Sequence, residues 1–147
     1  MQHHEKKELL HLARTTIAAH LAAEDVTIKH TDVPLFLEKR GAFVTLKQHG
    51  QLQGCIGRIT SEWPLYETIQ RMAISAAFQD PRFDPLQPEQ WPDIAIEISV
   101  LSPITPLPSV DMIAIGVHGL IIQKDGHSGL LLPQVPVEHG WDRDTFL

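Results

Sequence analysis

The stretch Ala42-Phe43-Val44-Thr45-Leu46-Lys47-Gln48-His49-Gly50-Gln51-Leu52-Gln53-Gly54-Cys55-Ile56-Gly57-Arg58-Ile59-Thr60 decides the fold. Ala42 to Gln48 and Gln51 to Thr60 read as two strands joined at His49-Gly50, because glycine supplies positive φ and histidine tolerates it better than most residues. A two-residue loop sets Val44 opposite Cys55 and Phe43 opposite Ile56. Ala42, Val44, Leu46 and Cys55 are then expected on one face, and Phe43, Leu52 and Ile56 on the other.

Upstream of this hairpin, Leu10, Ala13, Ile17 and Leu21 recur at helical spacing within His4 to Ala23, which predicts an amphipathic helix. Glu24 to Arg40 is mixed and is expected to be an extended connector without regular structure. Downstream, Ser61 and Pro64 suit a helix start, and Leu65, Ile69, Met72, Ala73 and Ala76 form its stripe, ending near Phe78. Asp80 to Pro92 holds four prolines and reads as an ordered loop anchored by Phe83, Leu86 and Trp91. Ile94, Ile96, Ile98 and Val100 alternate with Ala95, Glu97, Ser99 and Leu101, the clearest period-two signal in the chain. Val117 to Lys124 and His127 to Leu132 flank Asp125-Gly126, a second hairpin signal. Trp141-Asp142 resembles a helix entrance that is cut off at once, which suggests a shortened version of a longer protein. The order helix, hairpin, helix, strand, hairpin, with no parallel βαβ rhythm and no repeat, predicts an α+β fold with a mostly antiparallel sheet and flanking helices.

At 147 residues the chain suits a single compact domain, 1–147, and its 43% hydrophobic and 20% charged residues exclude wholesale disorder and fibrous structure. A net charge of −6 argues against nucleic acid as a partner, since binding there rests on phosphate neutralisation. Cys55 is the only cysteine, so no intramolecular disulfide can form and a thiolate-only metal site would need another chain. Met1 to Glu8 is charged where a signal peptide is apolar, and no apolar run approaches the roughly 20 residues that span a bilayer. These features lead to a cytoplasmic protein with no membrane partner.

Two glycines bracket the thiol in Gly54-Cys55-Ile56-Gly57-Arg58, leaving backbone that a ligand can approach. Cys55 is either a nucleophile whose thiolate Arg58 favours by folding back, or a small buried hydrophobe beside Ala42 and Val44, with the glycines permitting a bulge or tight packing. Gly54 to Gly57 also matches the GxxG loop of an RNA-clamping KH module, but it lies inside a strand-like run of an acidic chain. Asp80, Arg82 and Asp84 in the Asp80-Pro81-Arg82-Phe83-Asp84-Pro85 loop either surround a polar pocket, with Phe83 as a further binding candidate, or an Asp–Arg ion pair merely closes the loop. His118 is the one candidate base for Cys55, or else a histidine simply hydrogen-bonded at a strand end. Glu97 is either solvated or a buried acid. The nine histidines are scattered without metal-ligand spacing, and there is no Walker loop, GxGxxG or GxSxG, so neither a metal nor a cofactor is expected.

Five blocks in order, Leu52-Gln53-Gly54-Cys55-Ile56-Gly57, Ala76 to Phe83, Glu97 to Ser102, Gly116 to Leu120 and Gly129 to Gln134, resemble the AMMECR domain family. The likeness is to the protein A branch of the AmmeMemoRadiSam system and runs from the first helix to Leu147. Where the family usually has arginine, this chain has Gln53, so no role can rest on that positive charge. The resemblance implies an α+β fold of two lobes with the Gly-Cys motif facing a cleft. It also implies partnership with a Memo-like protein and a radical S-adenosylmethionine protein, which would carry the cofactors themselves. On this basis the chain is expected to bind or present a small substrate in a cleft that includes Gly54, Cys55, Gly57, Arg82 and His118. A cysteine-dependent enzyme using Cys55 and His118, and a protein-interaction adaptor, are the alternatives.

Overall fold

A computed structural model describes residues 1–25 and 31–146. They divide into two compact units, Met1–Pro103 and Ile104–Leu147. The first unit holds an antiparallel sheet of β1 (Ala42–Gln48), β2 (Gln51–Arg58) and β3 (Ile94–Val100), in the order β2-β1-β3. Its helices are α1 (His3–Leu21), the single turn α2 (Pro34–Leu37) and α3 (Leu65–Phe78). The mixed helix and antiparallel sheet architecture is the one the alternating and helical periods predict.

Two helices pack on one face of the sheet. α3 lies against β1 and β2, α1 against β3, and the two helices touch each other. Ala42, Val44 and Leu46 from β1 meet Ile69, Ala73 and Ala76 from α3 in a core that Ile94 closes from β3. Fully burying a side chain the size of Val44, Leu46 or Ile69 stabilises the fold by about 1.5–3 kcal/mol each. On α1 the buried stripe is Leu9, Ala13, Thr16 and Ile17. Leu10, expected inside, is 38% exposed, because the buried stripe is centred on Leu9, Ala13, Thr16 and Ile17 and Leu10 falls at its edge.

The hairpin turn forms as its residues dictate, with φ of 51° at His49 and 77° at Gly50. Its register does not follow the expectation. Gln53 is an extra residue in β2, a bulge between the pairs Leu46–Gly54 and Lys47–Leu52, so Thr45 and not Val44 faces Cys55. One added residue moves a side chain across the sheet. Ile56 therefore joins Val44 on the helix side, and Cys55 lies with Thr45 on the opposite face.

Three more segments differ from the sequence reading. Most of the mixed connector's described part is irregular, but Pro34–Leu37 makes one helical turn that buries Phe36, and Leu65 N–H donates to Glu38 O at 2.8 Å. The end of the proline-rich loop, Pro88–Asp93, winds into a 3₁₀ turn, where the proline at its start loses no hydrogen bond. On α1, Arg14, outside the expected stripe of Leu10, Ala13, Ile17 and Leu21, donates to Ile94 O at 2.8 Å and stands over the Trp91 ring.

The second unit holds the hairpin of β4 (Leu120–Lys124) and β5 (His127–Leu131), with φ of 51° at Asp125 and 79° at Gly126. The helix α4 (Gln134–His139) was not legible, because Pro133 and Pro136 read as breakers. It ends at Gly140 in the left-handed region, where Trp141 N–H donates to Pro136 O. The Asp142 entrance is as expected: its Oδ1 accepts the Thr145 N–H at 2.8 Å at the start of α5 (Arg143–Phe146), and that bond holds its carboxyl below the usual range.

Candidate functional site

The site begins with an unmet need of the backbone. β2 is an edge strand, and Cys55, in a pair that exchanges no hydrogen bonds with Thr45, turns its N–H and C=O away from the sheet. The loop after α3 supplies both partners. Asp80 Oδ2 accepts the Cys55 N–H at 3.0 Å, and Arg82 Nη2 donates to the Cys55 carbonyl at 3.2 Å. The two side chains also hold each other, Arg82 Nε to Asp80 Oδ1 at 3.0 Å and Nη2 to Oδ2 at 2.7 Å, while Asp80 Oδ1 accepts the Arg82 N–H at 3.1 Å.

The Asp80 side chain is 2% exposed and that of Arg82 56%, so a buried carboxylate anchors a guanidinium that reaches solvent. The hydrogen bond from the Arg82 side chain holds the Asp80 carboxyl far below the ordinary value of 3.8; burial opposes it, and the backbone N–H groups of Cys55 and Arg82 reinforce it. The same bond to Asp80 raises Arg82, helped by the nearby Asp80 charge and opposed by burial. The ion pair expected of this loop forms and clasps the strand that carries the cysteine, while Arg82 and Asp84, though not the buried Asp80, also line an open depression as the pocket reading has it.

Cys55 is partly exposed, and its Sγ accepts a hydrogen bond from Thr45 Oγ1 at 3.1 Å. It is therefore not the buried hydrophobe beside Ala42 and Val44. Glu97 completes the same rung on the far side of Thr45, exposed and paired with Lys47 Nζ at 2.9 Å. Arg58 does not fold back towards the thiol. It is on the helix face by register, over the Trp63 ring that Arg71 also covers, and Arg82 is the arginine at Cys55.

The glycines follow the tight-packing reading and not the ligand-approach one. A side chain at Gly54 would collide with the Ala76 carbonyl of α3, and one at Gly57 would enter the Phe43 ring. The backbone is bare at both positions so that the protein's own parts can approach, not so that a ligand can. The open space lies elsewhere, in a depression of about 760 Å³ lined by Gln53, Arg82, Phe83, Asp84, Gln87 and Gln90, with Pro81 and Pro85 at its wall. The bulge aims Gln53 into it. Sequence reasoning missed Gln53, Gln87 and Gln90 as lining residues; Gly54 marked a possible bulge but not that Gln53 is the extra residue.

His118 belongs to the second unit, where it is exposed and closes a turn: the Ala114 N–H donates to its Nδ1 at 3.0 Å. Its Nδ1 lone pair is thus used within its own turn. Among the described residues no group of three or more His, Cys, Asp and Glu side chains is gathered as a metal site, and no helix is long and apolar enough to cross a membrane.

An antiparallel sheet backed by two helices, with an Asp–Arg clasp on the cysteine of its edge strand, defines the class of domain. The chain belongs to the AMMECR1 family, whose sequence model matches residues 10–147. It is 43% identical to a protein of Methanothermobacter thermautotrophicus, over 97% of this chain and 78% of that one. A Methanopyrus kandleri protein, MK0488, is 44% identical over 95% of this chain and 72% of its own. The crystal structure of the uncharacterised protein PH0010 from Pyrococcus horikoshii superposes with a TM-score of 0.86 at 39% identity, covering all of this chain and 78% of that one.

Proposed function

We propose that this chain binds a small polar ligand in the depression beside Cys55 and presents it to a partner enzyme in the cytoplasm, as the protein A component of an AmmeMemoRadiSam system. One observation carries the reading. Arg82 is fixed from behind by Asp80 and the Cys55 carbonyl, yet its outer edge lines an open depression. A guanidinium held in one orientation before the ligand arrives binds without losing its own rotamer freedom, which is how a binding site differs from a mobile surface arginine.

The reading ranks above a cysteine enzyme for a chemical reason. Asp80 spends its oxygens on Arg82 and backbone N–H groups, so it is no general base, and His118 holds its Nδ1 in a turn bond. A Memo-like protein and a radical S-adenosylmethionine protein are the proposed partners, and any reaction would use their cofactors.

Equilibrium dialysis against a small-molecule cell extract, read by mass spectrometry, tests the proposal. A compound should accumulate with the wild-type chain and be lost with Arg82→Ala, while Arg58→Ala, outside the depression, retains it. Either no enrichment by the wild type or equal enrichment by Arg82→Ala with a native spectrum overturns it.

A further inference from the structure

The polar groups around the depression differ in whether the protein already uses them. Gln87 Nε2 donates to Pro85 O at 3.0 Å, Gln90 Oε1 accepts the Gln87 N–H at 2.9 Å, and Gln90 Nε2 donates to Gln48 Oε1 at 3.1 Å. These carboxamides build the loop. Among the side chains that line the depression, all of them described, three groups have no protein partner: the Gln53 carboxamide, Nη1 of Arg82 and the exposed carboxylate of Asp84.

Their charges are unequal. Arg82 is already offset by the buried Asp80 carboxylate, so its Nη1 offers directional N–H bonds with little net attraction for an anion. Asp84 has no ion-pair partner among the described residues and is the carboxylate that lines the depression. A ligand that completes the set brings a positive donor to Asp84 and an uncharged or carboxylate oxygen to Arg82. Phe83 stands between these two residues in the chain. Its half-buried ring, stiffened by Pro81 and Pro85, supplies an apolar surface.

We infer that the depression takes a free α-amino acid with an apolar side chain, its ammonium at Asp84, its carboxylate at Arg82 Nη1 and its side chain on Phe83. This rests on the binding reading above and narrows it. A phosphomonoester suits the site poorly, because Asp84 repels a dianion and Arg82 has its charge already matched.

The test is an amide-resonance titration of the full chain with three probes: L-leucine, N-acetyl-L-leucine and inorganic phosphate. L-leucine should shift Gln53 and the amides from Arg82 to Gln87, and acetylation, which removes the ammonium, should weaken binding about tenfold or more. Asp84→Asn should weaken L-leucine by a similar factor while leaving the rest of the spectrum and the rate of Cys55 alkylation unchanged. Equal binding of N-acetyl-L-leucine, or full L-leucine binding by Asp84→Asn, overturns the ligand class. Phosphate binding with L-leucine silent overturns the class and leaves the binding reading standing. Silence from all three overturns the class as well, and the dialysis experiment then decides the broader reading separately.

Discussion

The two hairpins have the same turn and unlike surroundings. His49-Gly50 and Asp125-Gly126 both place a non-glycine at φ of 51° and a glycine just below 80°. β1 of the first hairpin gains β3 on its other side and two helices on one face, burying Ala42, Val44 and Leu46. In the second, β4 and β5 pair only with each other, and Ile122 is 52% exposed. Turn chemistry is enough to fold a chain back on itself, but the layer against it decides whether the ribbon is part of a core. Substitutions at matched positions should therefore have unmatched effects.

The largest contrast is between two strand glycines. Gly54→Ala drives a methyl into the Ala76 carbonyl and must push α3 off the sheet, at a cost of about 4 kcal/mol. Gly129→Ala in β5 meets nothing within 4 Å and should change stability by less than about 0.5 kcal/mol. Urea unfolding of the two variants measures both, and a Gly54→Ala protein as stable as wild type would show that α3 does not press on β2.

Next come two large aliphatic residues. Leu46→Ala, 1% exposed between β2 and β3, should cost about 3 kcal/mol. Ile122→Ala should cost only a few tenths. Equal losses in thermal unfolding would mean that the second ribbon is as well covered as the first.

The contrast also shows what the sequence made legible. Both turns, all five strands and the two long helices follow from local chemistry: positive-φ residues, period two and period 3.6. The face of Cys55 does not, since it depends on whether Gln53 is paired or bulged, and a bulge is settled by contacts on both sides of the strand. Gly54 has to meet α3, and that contact lies 22 residues away in the chain at Ala76. Likewise the choice between Arg58 and Arg82 as the neighbour of Cys55 turns on register and on an edge strand's unmet N–H and C=O, both consequences of tertiary structure. The Asp-Pro-Arg spacing was visible as an ion pair, but nothing local says that the pair clasps a strand. For Glu97 the sequence left solvent and burial both open, and its pairing with Lys47 at the exposed face decides for solvent.

The clasp has a smaller, pH-dependent effect that the second hairpin lacks. Asp80→Asn keeps an acceptor for the Cys55 N–H but loses the charge facing Arg82, and should cost about 2 kcal/mol at neutral pH. The folded-state pKa of Asp80 is depressed, so its contribution is complete above the ordinary value of 3.8 and is lost as pH falls from there towards the folded value. Below about pH 4 the gap between wild type and Asp80→Asn should narrow steadily in denaturant titrations. A gap that stays constant with pH would separate the stability of the clasp from its charge.

The smallest effect bears most directly on the comparison. Gly50→Ala and Gly126→Ala each force alanine to positive φ, and a side chain at either site meets no atom within 4 Å, so the local penalty is strain alone, about 1 kcal/mol in both. The readout should nevertheless differ. β1 and β2 can part only if the core opens, so the strain at Gly50 enters global unfolding in full. β4 and β5 can part with little loss of buried surface, so the strain at Gly126 should appear as faster amide exchange within Leu120–Lys124 and His127–Leu131, with the global midpoint nearly unmoved. If both substitutions lower the global midpoint equally, the second ribbon unfolds together with the core, and coverage by a layer is not what separates the two hairpins.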